Sequence, residues 1–319
     1  MKVLVAGATG AVGKRLVPLL VARGHDVIGT TTAPAKVAAL QAMGARGVVA
    51  DGLDRDSVLR AVRAAEPDVI VHQMSGLAGV KNFKQFDREF ALTNRLRMDG
   101  TDNLLAAAGG ARIVAQSFGN WNYEPTGTGL KSEEDALDPN PPANQRKSLA
   151  AIRYVEDAVL GAGGIALRYA SFYGPGTGLA FDGDLVALVR KRRLPIVGSG
   201  AGVWGFIHMD DAATATVAAI ERGTAGIYNI ADDEPAPVSV WLPELAAALE
   251  AKPPRRVPVW LGRLAIGEVG VSMMTRIHGP SNAKAKRELG WRPYYASWRD
   301  GFRRGLGEVS ITDVADRLG

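Results

Sequence analysis

The chain has 319 residues, of which 47% are hydrophobic and 22% are charged, and it carries a formal net charge of +5 at pH 7. This length and balance predict a soluble, enzyme-sized protein built as one large domain with a lobe, or as two domains. The lack of cysteine excludes disulfides, thiolate metal sites and a cysteine nucleophile, and the four scattered histidines disfavour a zinc cluster, so we expect no bound metal.

Targeting and partner signals are also weak. No stretch approaches the roughly 20 apolar residues of a membrane span, and the N-terminus lacks the pattern of a signal peptide, so we expect a cytoplasmic protein with no membrane partner. The densest basic cluster, Arg190 to Arg193, is typical of a solvated helix end and contains no aromatic residue. We therefore expect no nucleic-acid partner.

Six β-type runs alternate with helix-length segments. The runs are VLVAG at 3, HDVIGT at 25, RGVVA at 46, PDVIVH at 67, ARIVAQS at 111 and GIALRYA at 164, and the helices begin near Gly13, Pro34, Asp54, Phe83 and Ser148. This alternation predicts an α/β fold, a doubly wound parallel sheet of the Rossmann type with helices on both faces. Ligands of such sheets bind at the carboxyl ends of the strands.

The first strand runs directly into a turn that contains Gly7, Gly10 and Gly13. Such a turn lets the backbone approach a diphosphate, and the helix that follows points its free N–H groups at the same anion. The spacing differs from the better-known GxGxxG pattern, and a bare glycine triplet is weak evidence. Its place between a β-run and an amphipathic helix predicts a dinucleotide site.

The end of the second β-run bears on which nucleotide binds. NAD-binding proteins usually carry a carboxylate there, whereas this segment reads GTTTAPAK from residue 29 and contains no acid. The hydroxyls of Thr30, Thr31 and Thr32, with Lys36 and with Arg15 two residues beyond Gly13, favour the 2′-phosphate of NADP. NAD remains possible, because the threonines can equally serve to cap a helix.

Motifs in order along the whole chain resemble the extended and atypical short-chain dehydrogenases/reductases, also called the NAD-dependent epimerase/dehydratase family. They are AGATGAVG at the first turn, DGLD at 51, PDVIVH at 67, TNRLRMDGTDNLLAAA at 93, LRYASFYGPGTG at 167, WGFIHMDDAA at 204 and RELGWRP at 287. The resemblance implies a dinucleotide-binding core of residues 1–175 and 203–231 and a smaller substrate-binding lobe of residues 176–202 and 232–319. It also implies a possible homodimer.

The resemblance further implies cofactor contacts residue by residue. The diphosphate would meet the first turn, the adenine edge would lie at Asp51 to Leu53, the nicotinamide ribose would lie by the residues after the fourth strand, and the carboxamide would lie near Tyr169 to Phe172. In full, the predicted cofactor residues are Gly7, Thr9, Gly10, Ala11, Val12, Gly13, Arg15, Thr30, Thr31, Thr32, Lys36, Asp51, Gly52, Leu53, Gln73, Met74, Ser75, Asn94, Gln116, Tyr169, Ser171 and Phe172. Met74 can equally be ordinary core filling.

The catalytic positions depart from the family pattern. Family members usually carry a Ser or Thr after the fifth strand and a Tyr-x-x-x-Lys on the next helix, where the tyrosine exchanges a proton with the substrate. Here Phe118 stands at the hydroxyl position, with Ser117 one residue earlier. Taking Lys147 as the lysine puts Ala143 at the tyrosine. Anchoring on Glu156 instead puts Ser148 at the tyrosine and Ile152 at the lysine, so no register recovers the pair.

A carbonyl reduction still needs a proton donor near the developing alkoxide. The catalytic candidates are Ser117 with Asn120, Lys147 and Tyr173, and Tyr123 can also bring a phenol from a loop. Two alternatives stay open. Lys147 can be a solvated residue at a helix start, and Tyr173 can be structural.

The sequence carries fewer signals for the residues that bind the substrate. The turn-rich stretch between Trp121 and Arg146 is long enough for an active-site lid or binding loop. The predicted substrate residues are Phe118, Trp121, Tyr123, Phe181 and Trp204. No basic residue stands in GVWG at 202–205, where relatives that act on nucleotide sugars often carry one, so an apolar or aromatic-tolerant substrate is favoured over a sugar nucleotide.

The leading hypothesis is an NADP-preferring oxidoreductase that acts on a small to medium organic substrate. Two alternatives keep the fold and drop net redox turnover. One is a lyase, isomerase or cyclase that uses the same pocket, and the other is an NADP-binding regulatory protein.

Overall fold

The computed structural model describes residues 1–77 and 82–307, and residues 308–319 of the predicted substrate lobe lie outside this range. A seven-stranded parallel sheet in the order β3-β2-β1-β4-β5-β6-β11 forms its centre. Its strands are β1 (Lys2–Ala6), β2 (Asp26–Thr31), β3 (Arg46–Val49), β4 (Val69–His72), β5 (Arg112–Phe118), β6 (Ile165–Tyr169) and β11 (Gly226–Ile230). The predicted doubly wound sheet is confirmed. The edge strand β11 is an addition that sequence analysis did not mark.

Short strands form three further two-stranded pairs outside this sheet. They are β7 (Ser171–Tyr173) with β10 (Phe206–His208), β9 (Val203–Trp204) with β12 (Ala236–Pro237), and β8 (Ile196–Val197) with β13 (Arg256–Val257). The β7–β10 pair directly follows β6, so it carries the chain from the sheet into the segments beyond residue 175.

Helices cover both faces of the sheet, and further helices pack outside it. In chain order, the helices of the described residues are α1 (Gly13–Ala22), α2 (Val37–Ala42), α3 (Arg55–Ala65), α4 (Phe86–Glu89), α5 (Ala91–Arg95), α6 (Thr101–Ala107), α7 (Arg146–Gly161), α8 (Asp184–Arg190), α9 (Met209–Arg222), α10 (Val238–Ala248), α11 (Val259–Thr275, kinked at Gly267), α12 (Ala283–Glu288) and α13 (Trp298–Arg304). Helix α1 packs on α9, while α6 packs on α3 and α7. Between α5 and α6, Leu96–Gly100 form one π-helical turn.

The side chains of β1 explain why both faces are covered. Successive side chains of a strand point to opposite faces. Val3 and Val5 lie in the hydrophobic cluster beneath α1 and α9, and Leu4 and Ala6 lie in the cluster beneath α3, α6 and α7. A strand with a continuous apolar run such as Val3 to Ala6 must be buried on both sides, which fixes it in the middle of a parallel sheet.

A separate hydrophobic cluster packs the chain beyond β6. It includes Tyr173, Phe206, Trp241, Trp298 and Phe302, all almost fully buried. Because this cluster also contains Leu179 and Val189, residues of both segments predicted as the substrate lobe share one core with Tyr173 and Phe206, which were predicted in the dinucleotide-binding part.

The turn-rich segment after Trp121 is held down by specific contacts. Its backbone forms an antiparallel bridge from Tyr123 to Leu137 and a parallel bridge from Lys131 to Pro280. The carboxylate of Glu133 accepts a hydrogen bond from the backbone N–H of Asn229, 2.7 Å away. These contacts attach the segment to β11 and to the chain near residue 280.

Candidate active site

The turn between β1 and α1 leaves no room for side chains at two of its glycines. Gly7 has φ = +89°, and a Cβ there would lie 2.7 Å from the carbonyl oxygen of Gln73. A Cβ at Gly13 would lie 2.5 Å from the carbonyl oxygen of Ala8. The turn is therefore a bare backbone cradle at the N-terminus of α1, and it fits the diphosphate of a dinucleotide.

A cavity of about 800 Å³ opens along the carboxyl ends of β1, β2, β4 and β5. It brings together most of the predicted cofactor residues: Gly7, Thr9, Gly10, Ala11, Val12, Thr30, Thr31, Thr32, Lys36, Asp51, Gly52, Leu53, Gln73, Met74, Ser75, Gln116, Ser171 and Phe172. Ser117, Phe118, Asn120, Trp121 and Trp204 also line it. These residues come from segments far apart in sequence, as expected for a site at strand ends.

Hydrogen bonds fix the part of the wall where the adenosine half was predicted. The hydroxyl of Thr30 accepts from the backbone N–H of Gly7 at 3.3 Å, and the hydroxyls of Thr9 and Thr31 are 3.3 Å apart. Asp51 accepts from the backbone N–H of Leu53 at 2.9 Å. The hydroxyls of Thr30 and Thr31 thus hold the turn, while Thr32 and Lys36 are exposed at the edge of the cavity.

Four predicted cofactor residues lie outside the cavity wall and are corrected. Gly13 is buried against Ala8, as described above. The Arg15 guanidinium lies 3.5 Å from Asp210 in the contact between α1 and α9. The Asn94 side-chain amide donates to the hydroxyl of Ser148 at 3.1 Å. Tyr169 is fully buried, and its hydroxyl accepts from the side-chain amide of Gln73 at 2.9 Å, so it contacts a wall residue from behind.

Two predicted catalytic residues are also placed elsewhere. Lys147 is exposed at the first turn of α7, where its backbone N–H donates to Asp87. Tyr173 is fully buried, and its ring fills the space above the Cα of Gly301. Burial raises the pKa of Tyr173 well above its ordinary value. Neither side chain reaches the cavity, because one points to solvent and the other is sealed in the lobe core.

Two predicted substrate residues, Tyr123 and Phe181, also lie outside the cavity wall. Tyr123 is buried and donates its hydroxyl hydrogen to the side-chain oxygen of Asn229. Burial raises its pKa to about 12. Phe181 is 59% exposed and stacks on the guanidinium of Arg190, 4.3 Å from the ring centre. No residue from 122 to 145 lines the cavity, so in this structure the segment predicted as a lid or binding loop does not form part of the cavity wall.

Ser117 reaches the cavity wall, but its hydroxyl hydrogen already forms a hydrogen bond within the protein. Its hydroxyl donates to the carboxylate of Glu156 at 2.6 Å, and the guanidinium of Arg168 donates to both oxygens of that carboxylate at 2.7 Å. All three residues are buried. Asn120 is likewise committed, because its side-chain amide donates to the hydroxyl of Ser171 at 2.7 Å. In this arrangement Ser117 can accept a hydrogen bond from a ligand but does not offer its proton to one.

Arg97 is a cavity residue that sequence analysis missed. It lies in the π-helical turn, is only 4% exposed and contributes to the cavity wall. Its Nε and one terminal nitrogen have no hydrogen-bond partner among the described residues. Burial lowers the pKa of Arg97 to about 10, which still leaves it charged at neutral pH. The available signal was the helical spacing from Phe86 and Phe90, which puts all three side chains on one face.

His72, at the end of β4, is neutral. Burial lowers its pKa to about 4, and the neighbouring charge of Arg97 acts in the same direction. One ring nitrogen lies 3.1 Å from the carbonyl oxygen of Leu96, and the other accepts from the backbone N–H of Met74 at 3.3 Å. This histidine therefore anchors the wall and adds no charge to it.

The other half of the cavity is aromatic. Phe86 and Phe90 stack with their centroids 4.4 Å apart, and Trp121 meets Phe86 edge-on at 5.1 Å. Phe118 lies 5.5 Å from Trp121. The indole N–H of Trp204 donates to a backbone carbonyl, so its ring is fixed. Rings held in this way form a slot suited to a flat aromatic ligand.

Residues 3–231 match the sequence model of the NAD-dependent epimerase/dehydratase family. The chain belongs to this family. A curated member of similar sequence is the 3-diazoavenalumate denitrifying reductase of a Streptomyces species, which is 42% identical over 312 residues, covering 95% of this chain and all of that protein.

Solved structures of the family share the fold at lower identity. The UDP-glucose 4-epimerase of Thermotoga maritima superposes with a TM-score of 0.75 at 21% identity, covering 96% of this chain and 97% of that one. A human epimerase family protein solved with NADPH gives 0.72 at 20% identity, covering 96% and 99%.

This epimerase/dehydratase family member is thus an NAD(P)-dependent enzyme of the oxidoreductase type that takes a small-molecule substrate and a nicotinamide dinucleotide. Within residues 1–77 and 82–307, no group of three or more His, Cys, Asp or Glu side chains is arranged to hold a metal ion. None of the helices in the described part of the chain has both the length and the apolar character needed to cross a bilayer.

Proposed function

We propose that this enzyme is an NADPH-dependent reductase that replaces the diazonium group of an aryl substrate with hydrogen and releases N2. The observation that carries the proposal is the 42% identity, over 95% of the chain, to a reductase named for denitrifying a diazo compound. A relative of this similarity over its whole length is expected to share the reaction type more readily than the fold-level neighbours.

The chemistry explains why the usual proton donor can be dispensed with. A hydride added to a carbonyl leaves an alkoxide, which needs a nearby acid. An aryl diazonium ion that gains a hydride at its terminal nitrogen becomes a neutral aryl diazene, Ar–N=N–H. The diazene then loses N2 as its C–N bond breaks and its N–H hydrogen is transferred to the ring carbon, so that Ar–N2⁺ and NADPH become Ar–H, N2 and NADP⁺ with no net proton uptake.

The positions of the candidate acids agree with such a reaction. Ser117 gives its proton to Glu156, and Tyr173 is sealed in the lobe. Lys147 is exposed at the surface. None of these three candidates offers a proton to the cavity, which a carbonyl reductase would need from its acid and a diazonium reductase would not.

The cavity would bind the substrate and keep water away from it. The glycine cradle would hold the diphosphate of the cofactor, whose reduced nicotinamide would supply the hydride. The aromatic half of the cavity, with Phe86, Phe90 and Trp121, would take the aryl ring by stacking. Because diazonium ions also react with water, apolar walls on this side would protect the substrate from hydrolysis.

The test follows NADPH oxidation and N2 release with the diazonium salt prepared from 4-aminocinnamate. We expect the amounts of NADPH oxidised and of N2 released each to equal the amount of arene formed. Lys147→Ala should keep the wild-type rate, because its side chain lies outside the cavity. Gly10→Asp, designed to lose the cofactor, gives the uncatalysed background. Reduction of ketones or aldehydes without turnover of the diazonium salt would contradict the proposal.

We also propose that NADPH is preferred over NADH. Lys36 is a cation at the edge of the cavity, and the segment that follows Thr32 contains no carboxylate to repel a 2′-phosphate. Lys36→Ala should weaken NADPH binding about tenfold, or about 1.4 kcal/mol, and leave NADH binding unchanged. Calorimetric titration with each nucleotide measures this, with Lys14→Ala on the exposed side of α1 as the control. Equal losses of affinity for NADPH and NADH would mean that Lys36 does not bind the 2′-phosphate.

A further inference from the structure

The wall of the cavity carries a positive charge that the protein does not balance. Glu156 is the buried carboxylate that acts electrostatically on Arg97, but both of its oxygens are already paired with Arg168. His72 and Tyr123 are neutral at physiological pH, for the reasons given above. The buried cluster of Glu156, Arg168 and Arg97 therefore has a net charge of about +1 on simple counting.

An unpaired buried cation costs stability, and its polar atoms lose hydrogen bonds to water. Arg97 combines both features, since Nε and a terminal nitrogen lack partners among the described residues and the side chain is 4% exposed. Arg95, two residues earlier, is a contrast. Its side chain is largely exposed and pairs with Asp99 at 3.3 Å.

The position of Arg97 relative to the aromatic slot defines what can reach it. Phe86, Phe90 and Arg97 all line the cavity and follow each other at helical spacing on one face. Arg97 follows Phe90 by seven positions, which corresponds to roughly 10 Å along a helix axis. A ligand whose ring packs against these phenyl groups can therefore extend a polar end to the guanidinium.

We propose that Arg97 binds an anionic oxygen of the substrate, a carboxylate or a phenolate, while the aromatic slot holds its ring. The inference deepens the proposed function and rests on it for the aryl class of substrate. The guanidinium matches a carboxylate with paired N–H donors and a phenolate with one or two. Binding completes the hydrogen bonds and the charge balance that the unliganded protein lacks.

The test measures binding by calorimetry, with NADP⁺ at saturation, and needs no turnover. Two matched probe pairs separate the two sources of the oxygen: cinnamate with cinnamamide for the carboxylate, and 4-nitrophenolate with 4-nitroanisole for the phenolate, at mildly alkaline pH. Wild-type protein should bind one anion about tenfold to a hundredfold more tightly than its neutral partner.

The variants assign the preference to one side chain. Arg97→Met should abolish the preference for the anion, Arg97→Lys should retain part of it, and Arg95→Met should leave it intact. Arg97→Met should also fold with a Tm no lower than that of wild type, since it removes an unpaired buried charge. Its Tm should no longer rise when the preferred anion is added.

Two results would overturn the inference. One is an anion preference that survives in Arg97→Met. The other is a loss of NADP⁺ affinity in Arg97→Met as large as the loss for the anion, which would assign the guanidinium to the dinucleotide. Failure of the diazonium reaction alone, with the Arg97-dependent preference intact, refutes the proposed reaction and supports the anion site.

Discussion

Replacement of Gly10 by aspartate is expected to remove dinucleotide binding, with the affinity for NADPH falling at least about a hundredfold, or about 2.7 kcal/mol. Gly10 is exposed in the turn between β1 and α1, and its backbone N–H is bonded to the carbonyl of Gly7 at 3.0 Å. A carboxylate there would stand against the diphosphate at the N-terminus of α1. The effect combines repulsion between like charges with loss of the close backbone approach.

A neutral variant of the same shape separates the two causes. A Cβ at Gly10 would lie 3.2 Å from the carbonyl oxygen of Gly7, which is a tight contact that both Asn and Asp would make. Gly10→Asn should therefore bind more weakly than wild type and clearly more tightly than Gly10→Asp. Calorimetric titration of the three proteins with NADPH gives the comparison. Equal affinities for wild type and Gly10→Asp would mean that this turn does not hold the diphosphate.

Replacement of Glu156 by glutamine is expected to lower the free energy of unfolding by about 3–5 kcal/mol, because it leaves buried charges without a counter-ion. The Glu156 and Arg168 side chains are each only 4% exposed, and their charged atoms approach to 2.7 Å. Arg97 adds a second cation to the same cluster. The amide in the variant would face two guanidinium groups that it cannot neutralise.

Two comparisons make this prediction specific to the buried cluster. Glu268→Gln breaks an exposed pair with Arg263 and should cost less than about 1 kcal/mol. The double variant Glu156→Gln with Arg168→Met should recover part of the loss, since only Arg97 stays unpaired. Urea unfolding monitored by circular dichroism measures all three. A loss for Glu156→Gln no larger than that for Glu268→Gln would contradict the assignment.

The sheet and the nucleotide cradle could be predicted because their signals are local. Continuous apolar runs such as that of β1 are required of strands buried on both faces, and a glycine with positive φ against a neighbouring strand leaves its mark in the sequence. Strand β11 carries a weaker signal. Its buried Asn229 is satisfied by Tyr123 and by the backbone of Lys131, which lie about a hundred positions away.

The catalytic side of the cavity could not be predicted in the same way. Whether Ser117 has a free proton depends on Glu156, and whether Tyr173 reaches a ligand depends on Gly301 in the lobe core. Helical spacing puts Arg97 on the face of Phe86 and Phe90, but the spacing does not show that this face is buried in the cavity wall while Arg95 is solvated. These differences arise from packing between distant segments, which spacing along the chain does not encode.

The π-helical turn at Leu96–Gly100 makes the direction of Arg97 sensitive to chain length. A turn of this kind holds one residue more than an α-helical turn, and each residue rotates a helix by about 100°. Loss of a single codon here would therefore rotate the aromatic face of α4 and α5 relative to α6 without altering any side chain in the slot. A single deletion of this kind could therefore convert a binding site that contains the Arg97 guanidinium into one that lacks it.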